Sequence, residues 1–584
     1  MYGDVKHSMS WQLREKLQKT LIAELGAQVY APGSRKGFVL AYPNTYNVGM
    51  SNLGFQIIYQ EINRRGDTAC ERLFLPDKKD TDEYRRTNTP LLTLETQRPV
   101  HEFEILAFAV SFEMDYFNLL NMLALGKIPL VAARRDENHP LVIIGGPCAT
   151  FNPEPLADFI DVAIVGEGEE VINEFLDVYY HGRKAGLSRS EILLNLAGID
   201  GVYVPRFYHP EYGINGLLSG YKQLTNVPAR ISRRWIKRLD DYPAQTVIIT
   251  DETEFRDMFL IEISRGCGRH CRFCMAGYCF RRPRVRSYDR VVAAVDFAAK
   301  YRSKVGLVGA AISDYPDIDR LCEYILSQGM KLSVASLRAD SLTPTLANAL
   351  AVSGHKTLTL APEAGSERLR RVINKGITDE DLAKAVGLAI RAGIPNIRLY
   401  IMVGLPYETD EDIASIIAMT VTLKREMERL GSKGRLTLSV NPFVPKPFTP
   451  FQWVPMVDLS VVEKRLKTIQ LAFKADKGIE VLVESPREAY IQGVLARGDR
   501  RLGEVLLAAQ KRGGIKAWRQ ALKETGINQE DYLYRCRTFD EIFPWQVLDI
   551  GLADAYLKEE CNKAAAKKST AVCLPGCTRC GVCQ

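Results

Sequence analysis

Ile261-Glu-Ile-Ser-Arg-Gly-Cys267-Gly-Arg-His-Cys271-Arg-Phe-Cys274 decides the reading of this chain. The stretch opens as an apolar strand and closes as a loop carrying C-x3-C-x2-C. Three thiolates this close hold three irons of a cubane cluster and leave the fourth iron open. An open iron binds a small molecule through an amine and a carboxylate. The alternative is structural zinc, which normally takes four ligands, often as two separated pairs. No fourth ligand stands at an obvious spacing here, although His270 and Cys279 are near. The local pattern favours the cluster.

Downstream of the loop the pattern is α/β. Strand candidates fall at 258–263, 304–309, 331–336, 356–361, 396–403 and 435–441. Helical stretches separate them, such as Asp289 to Tyr301, with Val291, Val292, Val295 and Ala299 on one face. Six such units predict a partial (β/α)6 barrel with ligands at the carboxyl ends of its strands. Pro442, Pro445, Pro447, Pro450 and Pro455 mark 442–455 as a covering loop.

Upstream, apolar runs at 37–42, 104–110, 141–146 and 161–165, with Ile128 to Ala133 as a fifth, alternate with helical stretches. Nearly continuous apolar strands separated by helices imply a buried parallel sheet. The expected fold is therefore a flavodoxin-like, Rossmann-type domain before the barrel. The predicted boundaries are a helical segment at 1–30 (helix 10–26), the Rossmann domain at 31–210 and a linker at 211–250. The barrel follows at 251–455, and a mostly helical region at 456–584 ends in a cysteine-rich tail.

Composition agrees with an ordinary globular chain of several domains: 584 residues, 46% hydrophobic and 25% charged. The net charge of +7 permits an acidic or nucleic-acid substrate without arguing for one. Thirteen cysteines, clustered at two places, indicate metal sites in a reducing compartment. With no signal-peptide core and no membrane-length apolar run, the expectation is a cytoplasmic protein without membrane insertion.

The cluster loop and the strand ends that follow it resemble the radical S-adenosylmethionine (SAM) superfamily, whose members reduce SAM at a 4Fe-4S cluster to methionine and a 5′-deoxyadenosyl radical. The resemblance implies Cys267, Cys271 and Cys274 as cluster ligands and Phe273 beside the adenine. Gly309-Ala-Ala-Ile-Ser-Asp-Tyr-Pro316 stands where the superfamily binds the SAM amino group with Gly-Gly-Glu. Here the carboxylate is Asp314, helped by Ser313. Ser336 and Arg338 are implied for the ribose and the SAM carboxylate, Glu363 in Ala361-Pro-Glu-Ala-Gly365 for SAM, and Gly404 and Leu405 for the adenine. Arg281, Arg282, Arg284 and Arg286 either line an anionic channel or form a solvated face.

The first domain resembles the cobalamin-binding domains that precede some radical SAM cores. That implies Gly145, Gly146, Gly166 and Gly168 near the cofactor's nucleotide tail. Asn44, Tyr46 and Gly49 stand where an Asp-x-His-x-x-Gly motif supplies histidine to cobalt. None of the seven histidines has glycine three residues later, so two readings stand: cobalamin without a protein ligand to cobalt, or a domain that kept the shape and lost the cofactor. Cys573, Cys577, Cys580 and Cys583 form a tail motif for an auxiliary iron–sulfur cluster or for zinc, with Cys561 a further candidate ligand.

Taken whole, the chain resembles an uncharacterised bacterial family of such proteins. The leading expectation is hydrogen abstraction from an unactivated carbon, followed by methyl transfer if cobalamin binds. Sulfur insertion into RNA or a ribosomal protein, as in methylthiotransferases, is the second, and a non-enzymatic redox sensor the third. The expected partners are a substrate that is a small molecule, RNA or protein, and an electron donor such as flavodoxin or ferredoxin. DNA is not expected.

Overall fold

The computed structural model describes residues 10–574 and 576–582. The first unit is built on β1 (Lys36–Tyr42), β2 (Thr68–Phe74), β3 (Ile105–Ala109), β4 (Leu141–Gly145), β5 (Val162–Ile164) and β6 (Val202–Tyr203). The sheet runs β2-β1-β3-β4-β5-β6, parallel except for β6. This is the flavodoxin order, with the reversal between β1 and β3.

The strand assignments need correction. Ile128 to Ala133 forms no strand. Pro129 lacks the donor that a central ladder needs, and residues 132–134 make a single 3-10 turn. Two observed strands were not expected, the two-residue β6 and β2, whose Glu71 and Arg72 break the apolar pattern. Both side chains are nonetheless buried. Arg72 pairs with Glu24 at 2.5 Å and with Glu95 at 2.6 Å, all three side chains being fully shielded from solvent. Glu71 accepts the Thr93 hydroxyl at 2.6 Å. Burial pushes the Glu95 carboxyl up to about 7 against the pull of Arg72.

The second unit contains all six expected strands, β7 (Met258–Glu262), β8 (Lys304–Val308), β9 (Lys331–Ser333), β10 (Thr357–Glu363), β11 (Asn396–Val403) and β12 (Leu436–Pro442). A seventh, β13 (Ile479–Val483), comes from the region expected to be helical and pairs parallel with β12. The strands form one set of three and one set of four, joined by a parallel bridge between Leu337 and Leu360. The rest of the C-terminal region is mostly helical.

Immediately after β7, Ser264–Arg265 pairs antiparallel with Arg284–Val285. This ribbon clamps both ends of the cysteine loop at the carboxyl edge of the sheet. The stretch expected to be a linker is structured. It holds a hairpin, Tyr208–Tyr212 with Leu218–Gln223, and a short strand, Ile231–Ser232, that pairs with Leu548–Asp549.

Gly166 joins this stretch to the first unit. Its φ is +106°, and a Cβ there would lie 2.0 Å from the Arg234 carbonyl oxygen. Gly166→Ala is expected to cost at least about 2–3 kcal/mol, because conformational strain and a backbone clash act together. Gly186 has φ +72° and open space around it, so Gly186→Ala isolates the strain at about 1–2 kcal/mol. Urea denaturation of the two variants measures the difference. Equal costs would remove the proposed clash.

Candidate active site

The loop between the ribbon strands is folded tightly on itself. Gly266 has φ +78°, and a Cβ there would stand 2.2 Å from the Phe280 carbonyl oxygen. The Cys274 amide donates to the Cys271 carbonyl at 3.0 Å. Burial, then the neighbouring Cys271 and Cys267, pushes the Cys274 thiol up to about 12. Burial likewise raises the Cys267 thiol. The three thiols are close enough to act on one another, and metal binding would exchange their protons for iron. Among the described residues no three His, Cys, Asp or Glu side chains converge on one point as ligands of a single ion would. A cubane needs no such point, because each of its irons takes one thiolate. The loop therefore fits a cluster with one iron left open.

Around the loop runs a chain of polar contacts from Asp314 to Glu363. Arg269, inside the C-x3-C segment, forks onto Asp314 at 2.7 and 2.6 Å and reaches Asp340 at 3.0 Å. Arg338 forks onto the same Asp340 at 2.9 Å through two nitrogens, donates to the Lys375 carbonyl at 2.7 Å and lies 3.9 Å from the Cys271 Sγ. Lys375 pairs with Glu363 at 3.1 Å, and its Nζ stands 5.9 Å from the centre of the Phe273 ring. Burial disfavours the Lys375 ammonium, but Glu363 and Cys271 together outweigh it and raise its pKa.

Asp314, Arg338, Glu363 and Phe273 thus come together at the cluster loop, already engaged by Arg269, Asp340 and Lys375. The sequence reading missed these three. Arg269 and Asp340 stood within two residues of assigned positions, whereas nothing local marked Lys375. Glu363 has φ +68°, a strained conformation for a residue other than glycine, at an irregularity in the β10–β11 register. Ser313 bonds Ser341 through their hydroxyls at 2.8 Å. The Gly404 amide donates to Glu408 at 2.8 Å, and Leu405 is fully buried.

A cavity of about 810 Å³ lies between the two units. Its walls are largely apolar, and Ser336, Gly266 and Gly309 line its barrel side. Gly145, Gly146, Gly166 and Gly168 line the other side. At Gly145 a Cβ would meet nothing within 4 Å, so that turn opens directly into the cavity. Gly168 is explained by packing, since its Cβ would sit 2.8 Å from Ile58. Arg265 anchors an ion-pair cluster at one wall, 2.9 Å from Glu262, 2.9 Å from Glu169 and 3.2 Å from Glu167.

Asn44, Tyr46 and Gly49 do not join this lining. Asn44 donates to Asp115 at 3.1 Å, and the Tyr46 hydroxyl donates to Glu24 at 2.5 Å. At Gly49 a Cβ would stand 2.5 Å from the Phe74 ring. The arginine run makes neither an open channel nor a solvated face. Arg281, Arg284 and Arg286 are buried, the last two against Glu167 at 2.6 Å and Glu262 at 2.7 Å, leaving Arg282 exposed.

The tail is packed against the cluster loop. The Cys573 amide donates to the Gly268 carbonyl at 2.8 Å. Asn374 donates to the carbonyls of His270 and Thr570, both at 3.1 Å. Arg272, fully buried between Cys271 and Cys274, reaches Glu560 at 3.2 Å and the Lys568 carbonyl at 2.7 Å. Cys580 is buried with its Sγ 3.4 Å from Arg281, which in turn lies 2.8 Å from the His270 Nδ1. A hydrogen bond from Arg579 at 3.2 Å lowers the Cys577 pKa. Cys561 is buried on the helix Asp554–Ala565. Cys583 lies outside the described residues.

The radical SAM superfamily profile matches residues 261–420, and the profile described as "Radical SAM proteins, N-terminal" matches residues 54–205. An uncharacterised protein of Methanocaldococcus jannaschii is 32% identical over 475 residues, covering 81% of this chain and 90% of that one. The chain belongs to the radical SAM superfamily. This radical SAM enzyme is also similar to an uncharacterised methyltransferase of Pyrococcus horikoshii, at 25% identity over 299 residues, 49% of this chain and 58% of that one. A tRNA-2-methylthio-N(6)-dimethylallyladenosine synthase of Chlorobium phaeobacteroides is 22% identical over 296 residues, 46% of this chain and 63% of that one. Among solved structures, the radical SAM methyltransferase TsrM of Kitasatospora setae, with cobalamin and a [4Fe-4S] cluster bound, covers 70% of this chain and 72% of its own. That match has a TM-score of 0.44 and 16% identity. The superfamily's cofactors are a 4Fe-4S cluster and SAM. No helix among the described residues is long and apolar enough to cross a membrane.

Proposed function

We propose that this radical SAM enzyme removes a hydrogen atom from an unactivated carbon of a substrate held in the cavity between its two α/β units, and that the same cavity takes a corrinoid for methyl transfer. The observation that carries the reading is the cavity itself. It spans the glycine turns of the flavodoxin-like sheet and the strand ends that flank the cysteine loop. The cluster, held by Cys267, Cys271 and Cys274 with SAM on its open iron, would supply the electron that breaks SAM into methionine and the radical. The protein's own residues do the rest. Asp314 and Glu363 present carboxylates suited to an ammonium, and Arg338 presents a fork suited to a carboxylate. The ion pairs they now make with Arg269, Lys375 and Asp340 would be exchanged for contacts to SAM. The apolar walls keep water from a reactive carbon radical.

The Pyrococcus relative named a methyltransferase supports methyl transfer. Among the described residues no histidine lines the cavity, so a corrinoid held there would carry no imidazole of this chain on cobalt. Sulfur insertion is the second reading, supported by the likeness to tRNA methylthiotransferases and by the tail cysteines beside the cluster loop. We take the tail, through Cys573, Cys577, Cys580 and Cys583, as the seat of the auxiliary cluster.

One anaerobic experiment separates these readings. The purified, reconstituted chain is expected to carry about eight irons, and Cys577→Ala/Cys580→Ala about four. Methyl transfer predicts corrinoid absorption and S-adenosylhomocysteine alongside 5′-deoxyadenosine. Sulfur insertion predicts no corrinoid. A chain with about four irons both before and after the tail substitutions would remove the auxiliary cluster.

A further inference from the structure

A second cavity, of about 830 Å³, shares no lining residue with the inner one. Trp235, Lys237 and Arg238 line it from the segment expected to be a linker, Arg282 and Pro283 from the end of the cysteine loop, and Val582 from the tail. The groove is lined by four cations, Lys237, Arg238, Arg282 and Arg284, and by two carboxylates, Asp240 and Asp241, which leaves an excess of two positive charges. Arg238 is 80% exposed and pairs with Asp241 at 2.8 Å. Lys237 and Arg282 are exposed, and neither side chain makes an ion pair or hydrogen bond among the described residues. The two lining carboxylates are engaged elsewhere, Asp241 by Arg238 and Asp240 by the Ser287 amide at 3.2 Å. Trp235 adds an apolar face beneath the Arg284 guanidinium, 5.3 Å from the ring centre, and Arg284 is itself held by Glu167 at 2.6 Å. The platform is therefore fixed while the two outer cations are free.

The groove lies directly behind both cysteine segments. A Cβ on Gly268, the residue after Cys267, would stand 3.7 Å from Pro283 and 3.3 Å from Cys573. It is not where the proposed reading puts the substrate, because the strand-end residues Gly309 and Ser336 line the inner cavity and not this one. A basic, partly apolar groove against the back of a redox centre fits a reductant, not a substrate.

We infer that this groove docks a small acidic one-electron carrier of the flavodoxin or ferredoxin class, with Lys237 and Arg282 steering it. In the step it serves, one electron leaves the reduced carrier and the oxidised cluster held by Cys267, Cys271 and Cys274 gains it. No atom or proton is exchanged. The inference rests on the chain being a radical SAM enzyme and is independent of what the inner cavity holds.

The test compares Lys237→Glu, Lys237→Glu/Arg282→Glu and the parent chain. Each is driven either by flavodoxin with its reductase or by dithionite, and 5′-deoxyadenosine is measured. Charge steering contributes about tenfold or more to encounter rates, so the flavodoxin-driven rate of the double variant is expected to fall by about that factor. The dithionite-driven rate should stay within about twofold, because a small reductant needs no docking surface. In the parent, raising ionic strength from about 0.05 to about 0.3 M should slow the flavodoxin-driven reaction alone. Titration of flavodoxin into each chain by calorimetry reads binding whether or not SAM is cleaved. Affinity should drop for Lys237→Glu and further for the double variant. Equal loss with both reductants would overturn the inference, as would unchanged flavodoxin binding. It would also be overturned if single-stranded RNA bound the groove and lost affinity in the variants while the flavodoxin-driven rate held. Lack of dithionite-driven SAM cleavage in the parent would instead sink the enzymatic reading, leaving the binding result to stand by itself.

Discussion

Cys267→Ala/Cys271→Ala/Cys274→Ala is expected to abolish 5′-deoxyadenosine release and to remove about four irons per chain after anaerobic reconstitution. The loop itself should persist. Its backbone is clamped by the Ser264–Arg265 and Arg284–Val285 ribbon, by the tight turn at Gly266 and by the buried Arg272, none of which needs a thiol. Removing one buried and two partly buried sulfurs should cost only a few kcal/mol in the cluster-free chain, at roughly 1 kcal/mol each. Circular dichroism and urea denaturation check that the loss is chemical and not a failure to fold. Iron analysis also reports on the tail, because its cysteines are untouched and should keep about four irons. Nucleoside release that survives the triple substitution would overturn the assignment of the cluster ligands.

Glu560→Ala is expected to destabilise the chain by about 3–5 kcal/mol, the cost of leaving a buried charge without its partner. Arg272 and Glu560 are both fully shielded from solvent. Arg272 would keep its carbonyl partners, at 3.0 Å on Arg371 and 2.8 Å on Val372, but no anion would remain against it. Glu560 also accepts the Thr570 hydroxyl at 2.7 Å, so its loss frees the segment that leads into the tail. Glu560→Gln keeps an acceptor and should recover part of the stability. The urea midpoint measures the first effect, and proteolysis after Lys567 or Lys568 measures the second. A cost below about 1 kcal/mol, with an undisturbed tail, would mean that this pair does not latch the tail to the cluster loop.

Much of the architecture was legible because it rests on local signals. The six barrel strands and four of the sheet strands in the first unit are apolar runs between turn residues, and burial demands that composition wherever a sheet is covered on both faces. β2 was not legible, because Arg72 is neutralised by Glu24 and Glu95, residues 48 and 23 positions away. β13 was hidden for another reason. As the last strand of its sheet, with ladder partners on one side only, Ile479–Val483 is only partly buried and its apolar signal is short. At the site, Cys267, Cys271 and Cys274 stood out through spacing, and Asp314, Arg338 and Glu363 through the resemblance of their strand ends to radical SAM enzymes. Lys375 did not, since its role arises from folding back onto Glu363.

By itself the sequence determined the chemistry class. Three thiols at fixed spacing on a loop after an apolar strand favour a cluster over zinc, and a run of βα units points to where that ligand sits. Only the tertiary structure decided the company these groups keep. It brought the tail onto the cluster loop, buried Arg284 and Arg286 against carboxylates, left Lys237 and Arg282 exposed in one groove, and moved Asn44, Tyr46 and Gly49 away from the inner cavity. Spacing acts over a few residues of covalent geometry. Pairing of charges and enclosure of a cavity depend on which distant segments the packed core brings together, and no local pattern carries that information.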